Sequence, residues 1–141
     1  MSAHKYIIGI DPGTKTGLAV WNTEEYRFVK IETMKIHDAF EEVEFWMTYG
    51  WNSILVRFED ARLRKWFGNK GKEAAQGAGS IKRDCAIWED FLRDNDIDFQ
   101  LVAPKDIKTK MTAAAFRNLT GWKGVTNEHG RDAAMLVFGW K

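Results

Sequence analysis

Four acidic residues and one histidine lie at positions where they could bind divalent cations. Asp11 and Glu59 each end an apolar run, whereas Glu128, His129 and Asp132 lie together near the end of the chain. Side chains three and four positions apart share one face of a helix, so the last three would point the same way. If this helix packs over the ends of both apolar strands, its acids and its histidine would lie close to the two strand-end acids. The resulting cluster would contain Asp11, Glu59, His129 and Asp132.

Such a cluster predicts a bound metal, because crowded carboxylates repel one another unless cations neutralise them. Oxygen-rich ligands with at most one imidazole favour Mg²⁺, with Mn²⁺ as a substitute, over Zn²⁺. Two such ions about 4 Å apart would activate a water molecule and stabilise the leaving oxygen of a phosphodiester. Cys85 is the only cysteine, which excludes an internal disulfide and a Cys-based zinc site and favours a reducing compartment.

Each of these residues also has an ordinary structural interpretation. Asp11 could simply cap the turn at Pro12 and Gly13 through an Asx bond. Glu59 could be a surface carboxylate, Glu128 and His129 could be first-turn helix groups, and Asp132 could form an ion pair with Arg62 or Arg131.

The elements that must position these residues are predicted from the periodicity of apolar side chains. Strands are expected at residues 5–11, 17–21, 25–33, 53–59 and 98–102, and helices at 37–49, 74–92, 112–119 and from 126 or 127 to 140. The order βββαβαβ followed by helices predicts an α/β fold. Its mixed five-stranded sheet would have three antiparallel strands, then parallel strands, with helices flanking it. Small residues in the long helix, Gly77 and Gly79, would permit close approach of the sheet or of a second subunit.

Length and composition limit the class of protein. The chain has 141 residues, of which 45% are hydrophobic and 29% charged, so we expect one globular domain over residues 1–141. The sequence contains no stretch of 18 apolar residues that would predict a membrane helix, and its first residues do not resemble a secretory signal. We therefore expect a cytoplasmic protein.

Positive charge is concentrated in two segments, although the formal net charge is only +1. Residues 61–72 contain no acid and hold the basic residues Arg62, Arg64, Lys65, Lys70 and Lys72 together with Trp66 and Phe67. The second segment contains Lys105, Lys108 and Lys110. Segregated charge of this kind is typical of a surface that binds phosphates, although solvated basic loops give the same pattern.

Five motifs, in this order, resemble those of the RuvC-like Holliday junction resolvases, which have the RNase H-like fold. They are GIDPGTKTG at 9–17, FED at 58–60, AQGAG at 75–79, PKDIK at 104–108 and HGRDAA at 129–134. The first motif alone also resembles the phosphate-binding turn of sugar kinases and actin-like ATPases. Those proteins have two lobes, which 141 residues cannot hold.

The resemblance implies a homodimeric, Mg²⁺-dependent endonuclease that nicks a four-way DNA junction symmetrically. It makes Asp11, Glu59 and Asp132 metal ligands. The position three residues before Asp132 is Asp or His in the family and is His129 here, with neighbouring Glu128 as the alternative ligand. Lys108 matches a basic position near the active site that would contact the scissile phosphate or its neighbours.

The resemblance also implies how the DNA is held. In the family an aromatic residue shortly after the strand-end Glu enters the junction, and the candidates here are Trp66 and Phe67, which could instead pack against the next helix. Lys105, Lys110 and the basic residues of 61–72 would hold backbone phosphates. The chain resembles a compact phage-type member of the family. Such a member would act in the cytoplasm of a bacterium or of a phage-infected host, and we expect it to need neither a membrane partner nor a small-molecule cofactor. An RNase H-like nuclease for flap or RNA-containing substrates and a non-catalytic junction-binding protein are the competing hypotheses.

Overall fold

The computed structural model describes residues 4–50, 53–63 and 72–141, with side chains from residue 79 onward in the last range. The strands are β1 (Tyr6–Asp11), β2 (Lys15–Asn22), β3 (Arg27–Lys35), β4 (Ile54–Glu59) and β5 (Asp98–Val102). The helices are α1 (Ile36–Met47), α2 (Lys72–Asp94), α3 (Ala113–Thr120) and α4 (Glu128–Met135). Short 3₁₀ turns occupy Ala61–Leu63 and Pro104–Asp106. None of the helices in the described ranges is both long and apolar enough to span a bilayer.

The five strands form one mixed sheet in the order β3-β2-β1-β4-β5. The pairs β1 with β2 and β2 with β3 are antiparallel, whereas β4 runs parallel to both β1 and β5. This topology confirms the predicted RNase H-like α/β fold, with three antiparallel strands followed by parallel ones. It follows that β1 and β4 present their carboxyl ends, and thus Asp11 and Glu59, at the same edge of the sheet.

Alternation along β1 builds a separate core on each face of the sheet. Ile8 and Ile10 are fully buried on the face that α1 and α2 cover, together with Val43 of α1 and Trp88 of α2. Ile7 is fully buried on the opposite face, under α3 and α4. The two-residue period of a strand produces this division. Asp11, four positions after Ile7, shares its parity and lies at the end of the face that α4 covers.

Two glycines let α4 lie directly on the sheet. A Cβ atom at Gly9 would collide with the carbonyl oxygen of Ala133, and one at Gly17 with the carbonyl oxygen of His129. Any side chain at either position would push α4 away from β1 and β2. The close approach brings the amino-terminal turns of α4 next to the end of β1.

The last helix is shorter than predicted. The apolar periodicity of residues 133–138 predicts a helix that continues to Trp140, but α4 ends at Met135. Turns with i to i+3 hydrogen bonds follow, and Gly139 adopts a φ of 78°, a conformation that ends helices. Arg57 of β4 donates from Nε to the carbonyl oxygen of Leu136 at 2.9 Å. This carbonyl therefore has a partner without a further turn of helix. Leu136 and Val137 remain buried, so the apolar pattern reports burial rather than helix length.

Helix α2 buries only part of the apolar seam that its sequence predicts. Apolar residues recur there at alternating spacings of four and three, at Ala74, Ala78, Ile81, Cys85, Trp88 and Leu92. Cys85, Trp88 and Leu92 are fully buried against the sheet, whereas Ile81 is 40% exposed. The earlier seam positions, Ala74 and Ala78, lie outside the described side chains, as does Gly77. The carboxyl-terminal half of α2 therefore belongs to the core of the chain, while Ile81 presents apolar surface to solvent.

Candidate active site

The ends of β1 and β4 place two acids side by side. The parallel register pairs Ile10 with Phe58, and Asp11 and Glu59 are the next residue on each strand. The turn after Asp11 is closed by Thr16, whose Oγ1 donates to the carbonyl oxygen of Gly13 at 2.8 Å. The Asp11 carboxylate instead points to α4, where its Oδ2 lies 3.1 Å from Nδ1 of His129.

The first turn of α4 is fixed by its cap. Asn127 accepts from the backbone N–H of Gly130 at 3.0 Å, and Thr33 of β3 donates to the same side-chain oxygen. This capping arrangement satisfies a helix N–H group that has no partner within the helix. The cap therefore ties α4 to the sheet just before His129.

Asp132, one turn further along α4, is held by backbone. It is only 8% exposed, and its Oδ1 accepts from the N–H of Lys110 at 2.8 Å. Lys110 adopts a φ of 57°, which is uncommon for a residue with a side chain. Arg131, which could have paired with Asp132, instead donates to the carbonyl oxygens of Met111 and Thr126.

One cavity of about 620 Å³ collects these groups. Five of its lining residues are the predicted ligand candidates Asp11, Glu59, Glu128, His129 and Asp132. Its other lining residues include Lys105 and Lys110, which supply positive charge, and Pro12, Leu63, Ala103 and Pro104, which supply apolar walls. Lys108 is exposed beside this segment and does not line the cavity.

The carboxyl groups of the cavity are electrostatically crowded. Burial raises the pKa of Asp11 from 3.8 to about 6, with contributions in the same direction from the charges of Asp132 and Glu128, while the bond to His129 opposes the shift. Burial also raises the pKa of Asp132, with a further contribution from Glu128, although the N–H of Lys110 lowers it. Both acids would be more readily ionised with a cation beside them.

Comparison with solved structures identifies a protein of the same architecture. One match is T. thermophilus RuvC in complex with a Holliday junction substrate, at 18% identity and a TM-score of 0.59. It covers 93% of this chain and 89% of that one. The chain has the fold of RuvC. No protein-family model and no curated protein matches the sequence.

The donor set of the cavity suits Mg²⁺ or Mn²⁺. Carboxylates dominate, one imidazole is present, and two of the acids have pKa values raised by burial and mutual repulsion. Among the side chains of residues 4–50, 53–63 and 79–141, no three from His, Cys, Asp or Glu stand in a coordinating arrangement. The direct partners seen are His129 for Asp11 and the Lys110 N–H for Asp132.

The predicted DNA-binding residues fall into three groups. Lys105 and Lys110 line the cavity. Arg62 forms ion pairs with Asp60 and Glu89, at 2.6 Å in each case. Those outside the described part of the chain are Arg64, Lys65, Trp66, Phe67, Lys70 and the side chain of Lys72.

Sequence reasoning missed Leu63 and the network around Asp60. Leu63 ends a 3₁₀ turn four residues after Glu59, is 45% exposed and lines the cavity. Its place shortly after a strand-end acid is the only hint in the sequence, and a lone leucine between two arginines has no pattern that marks it as a cavity residue. Asp60 is 1% exposed, and such burial of an acid is not visible from its neighbours in the sequence.

Proposed function

We propose that this chain is a metal-dependent endonuclease that cleaves branched DNA, with the four-way junction as its preferred substrate. The observation that carries the proposal is the convergence of Asp11, Glu59, His129 and Asp132 on one cavity. These residues come from β1, β4 and α4, and no packing requirement brings three acids to a common cavity. The shared fold with a protein solved on a Holliday junction supports the choice of substrate.

Asp11, Glu59, His129 and Asp132 are the proposed ligands of two Mg²⁺ ions, which Mn²⁺ could replace. Glu128 lines the same cavity and is the alternative to His129. When bound, such ions activate water and stabilise the leaving oxygen of a phosphodiester. The bond from His129 to Asp11 orients both side chains, and the Lys110 N–H orients the carboxylate of Asp132.

The basic residues around the cavity would hold the DNA backbone. Lys105 and Lys110 both line the cavity. Their positive charges would offset the repulsion between a DNA phosphate and the carboxylates. Lys108, exposed in the same segment, would contact a neighbouring phosphate. Pro12, Leu63 and Pro104 give the cavity apolar walls that exclude water from part of its volume. Contacts of this kind position the backbone and carry no base sequence information.

The test is cleavage of a synthetic four-way junction with and without Mg²⁺, compared with linear duplex, flap and RNA/DNA hybrid substrates. We expect nicks near the crossover of the junction, dependent on Mg²⁺ or Mn²⁺. Binding of the junction without cleavage in either metal would contradict the nuclease proposal and favour a junction-binding protein. Preferential cleavage of flap or hybrid substrates would support nuclease activity but contradict the proposed preference for the four-way junction.

A further inference from the structure

An ion-pair network lies directly behind the end of β4. Asp60, the residue after Glu59, is 1% exposed. Arg62 donates to both of its carboxylate oxygens, from Nε at 2.8 Å and from Nη2 at 2.6 Å. Nη2 of the same guanidinium also lies 2.6 Å from Oε1 of Glu89 on α2. A single side chain therefore joins the strand end to the long helix.

The backbone on either side of Glu59 is tied into the same region. The N–H of Asp60 donates to the carbonyl oxygen of Val102 on β5 at 2.8 Å. The Sγ of Cys85 on α2 lies 4.0 Å from the carbonyl oxygen of Glu59. Because Glu59 lines the cavity from this short piece of backbone, the direction of its side chain depends on how firmly the backbone is held.

Arg62 is poorly placed to bind phosphate in this arrangement. Its side chain is 27% exposed, and two carboxylates occupy its guanidinium. Arg93 donates to the other oxygen of Glu89, from Nε at 3.0 Å and Nη2 at 2.7 Å, so the four charges balance. A buried acid such as Asp60 requires such a partner, since an unpaired buried charge is strongly unfavourable.

We propose that Arg62 is a positioning residue that fixes Glu59 at the cavity by clamping Asp60 to Glu89. It acts through the backbone of the β4 end rather than by touching the DNA or the reacting atoms. This inference rests on the proposed nuclease function for its catalytic consequence, but the clamp itself is a property of the chain. Planar, two-sided donation is specific to Arg, and Lys cannot reproduce it.

Arg62→Lys distinguishes a positioning role from a phosphate contact. Lysine keeps the positive charge that a phosphate would need, but it lacks the planar guanidinium that donates to Asp60 and Glu89 together. We expect junction cleavage to fall about 10- to 100-fold, as for residues that orient metal ligands, with a similar loss of Mn²⁺ affinity measured by electron paramagnetic resonance on the protein alone. Junction affinity measured in EDTA should change less than about twofold, with the same salt slope.

Glu89→Ala tests the same clamp from its other end. If Arg62 positions Glu59, this variant should weaken Mn²⁺ binding and cleavage as Arg62→Lys does. If Arg62 binds phosphate, Glu89→Ala should free it and raise junction affinity, and Arg62→Lys should leave cleavage unchanged; either result overturns the proposal. The matched control is Arg93→Gln, which removes a cation from Glu89 without touching Asp60 and should leave cleavage unchanged.

Hydrogen exchange of the Asp60 amide makes the test independent of the nuclease proposal. This amide should exchange at least about tenfold faster in Arg62→Lys and Glu89→Ala than in the parent chain, since its bond to Val102 depends on the clamp. If the parent chain cuts no junction and binds no Mn²⁺ while this change is seen, the nuclease proposal fails and the clamp stands. Unchanged exchange of Asp60 in both variants would overturn the clamp whatever the activity.

Discussion

Asp11 lies in surroundings that oppose its own charge. Burial and the nearby carboxylates of Asp132 and Glu128 raise its pKa to about 6, and His129 is its direct partner. A residue selected only for stability at this position would be neutral, because an uncharged side chain avoids the desolvation of a carboxylate. The proposed cation would offset this cost, which gives a reason for an acid at this position.

Replacing Asp11 by Asn should separate binding from cleavage. The amide has nearly the same shape but cannot supply a charged oxygen, so we expect cleavage of the junction to fall more than about 100-fold, beyond the loss typical of groups that only orient ligands. Junction affinity in EDTA should remain, since the proposed phosphate contacts are made by lysines and not by Asp11. Lost binding together with residual cleavage would contradict the assignment of Asp11 as a ligand.

The same variant should be more stable than the parent chain at neutral pH. The folded pKa of about 6 lies above the ordinary 3.8, so ionisation of Asp11 disfavours the folded state by at most about 3 kcal/mol. This destabilisation is absent below pH 4, grows between pH 4 and 6, and is complete above pH 6. Urea unfolding in EDTA should therefore show that Asp11→Asn is more stable at pH 8, with a gain that disappears near pH 4.

Added Mg²⁺ provides the check on that interpretation. A bound cation should remove the repulsion, so Mg²⁺ should raise the thermal midpoint of the parent chain and have much less effect on Asp11→Asn. A pH-independent difference between the two proteins in EDTA would show that the carboxylate charge is not the cause.

At the scale of elements, the position of α4 on β1 and β2 decides whether the acids meet. Gly17→Ala places a methyl group against the carbonyl oxygen of His129, backbone that cannot move without shifting α4. We expect a loss of about 1–3 kcal/mol in unfolding free energy, as for overpacked sites, and a large loss of cleavage. The measurements are urea unfolding and junction cleavage.

Gly79→Ala on α2 is the matched control for stability, because a Cβ there would have no heavy atom within 4 Å among the described residues. It should be neutral or slightly stabilising, since Ala favours a helix over Gly by up to about 1 kcal/mol. Full activity of Gly17→Ala with unchanged stability would show that α4 does not depend on this close approach.

Most of the fold could be predicted from the sequence, because strand alternation and the order of strands and helices along the chain follow from local patterns. The division of Ile7 from Ile8 and Ile10 between two cores follows from parity alone. The role of Gly17 could not be predicted, because it depends on the carbonyl oxygen of a residue more than a hundred positions away. For the same reason the sequence presents Arg62 as a basic loop residue, whereas its partner Glu89 lies on another element.

At the scale of the whole molecule, the symmetry of the proposed substrate favours a second copy of the chain. A four-way junction offers two equivalent strands, and a twofold dimer would present one cavity to each. Helix α2 supplies a candidate surface, because Ile81 continues the seam of Cys85 and Trp88 yet is 40% exposed. We therefore expect a dimer at micromolar concentration by sedimentation, packed through the amino-terminal half of α2.

Ile81→Glu should convert that dimer to a monomer without unfolding it. A charge at an exposed position costs little within one chain, but across an apolar interface it would face a buried surface without a partner. The matched control is Ile87→Glu, which has a similar exposure of 41% on another side of the same helix and should remain dimeric. With Mg²⁺ present, the Ile81→Glu monomer should nick single strands of the junction and lose the paired nicks that release linear duplexes. A parent chain that sediments as a monomer, or an Ile87→Glu variant that dissociates equally, would show that this face of α2 does not form the interface.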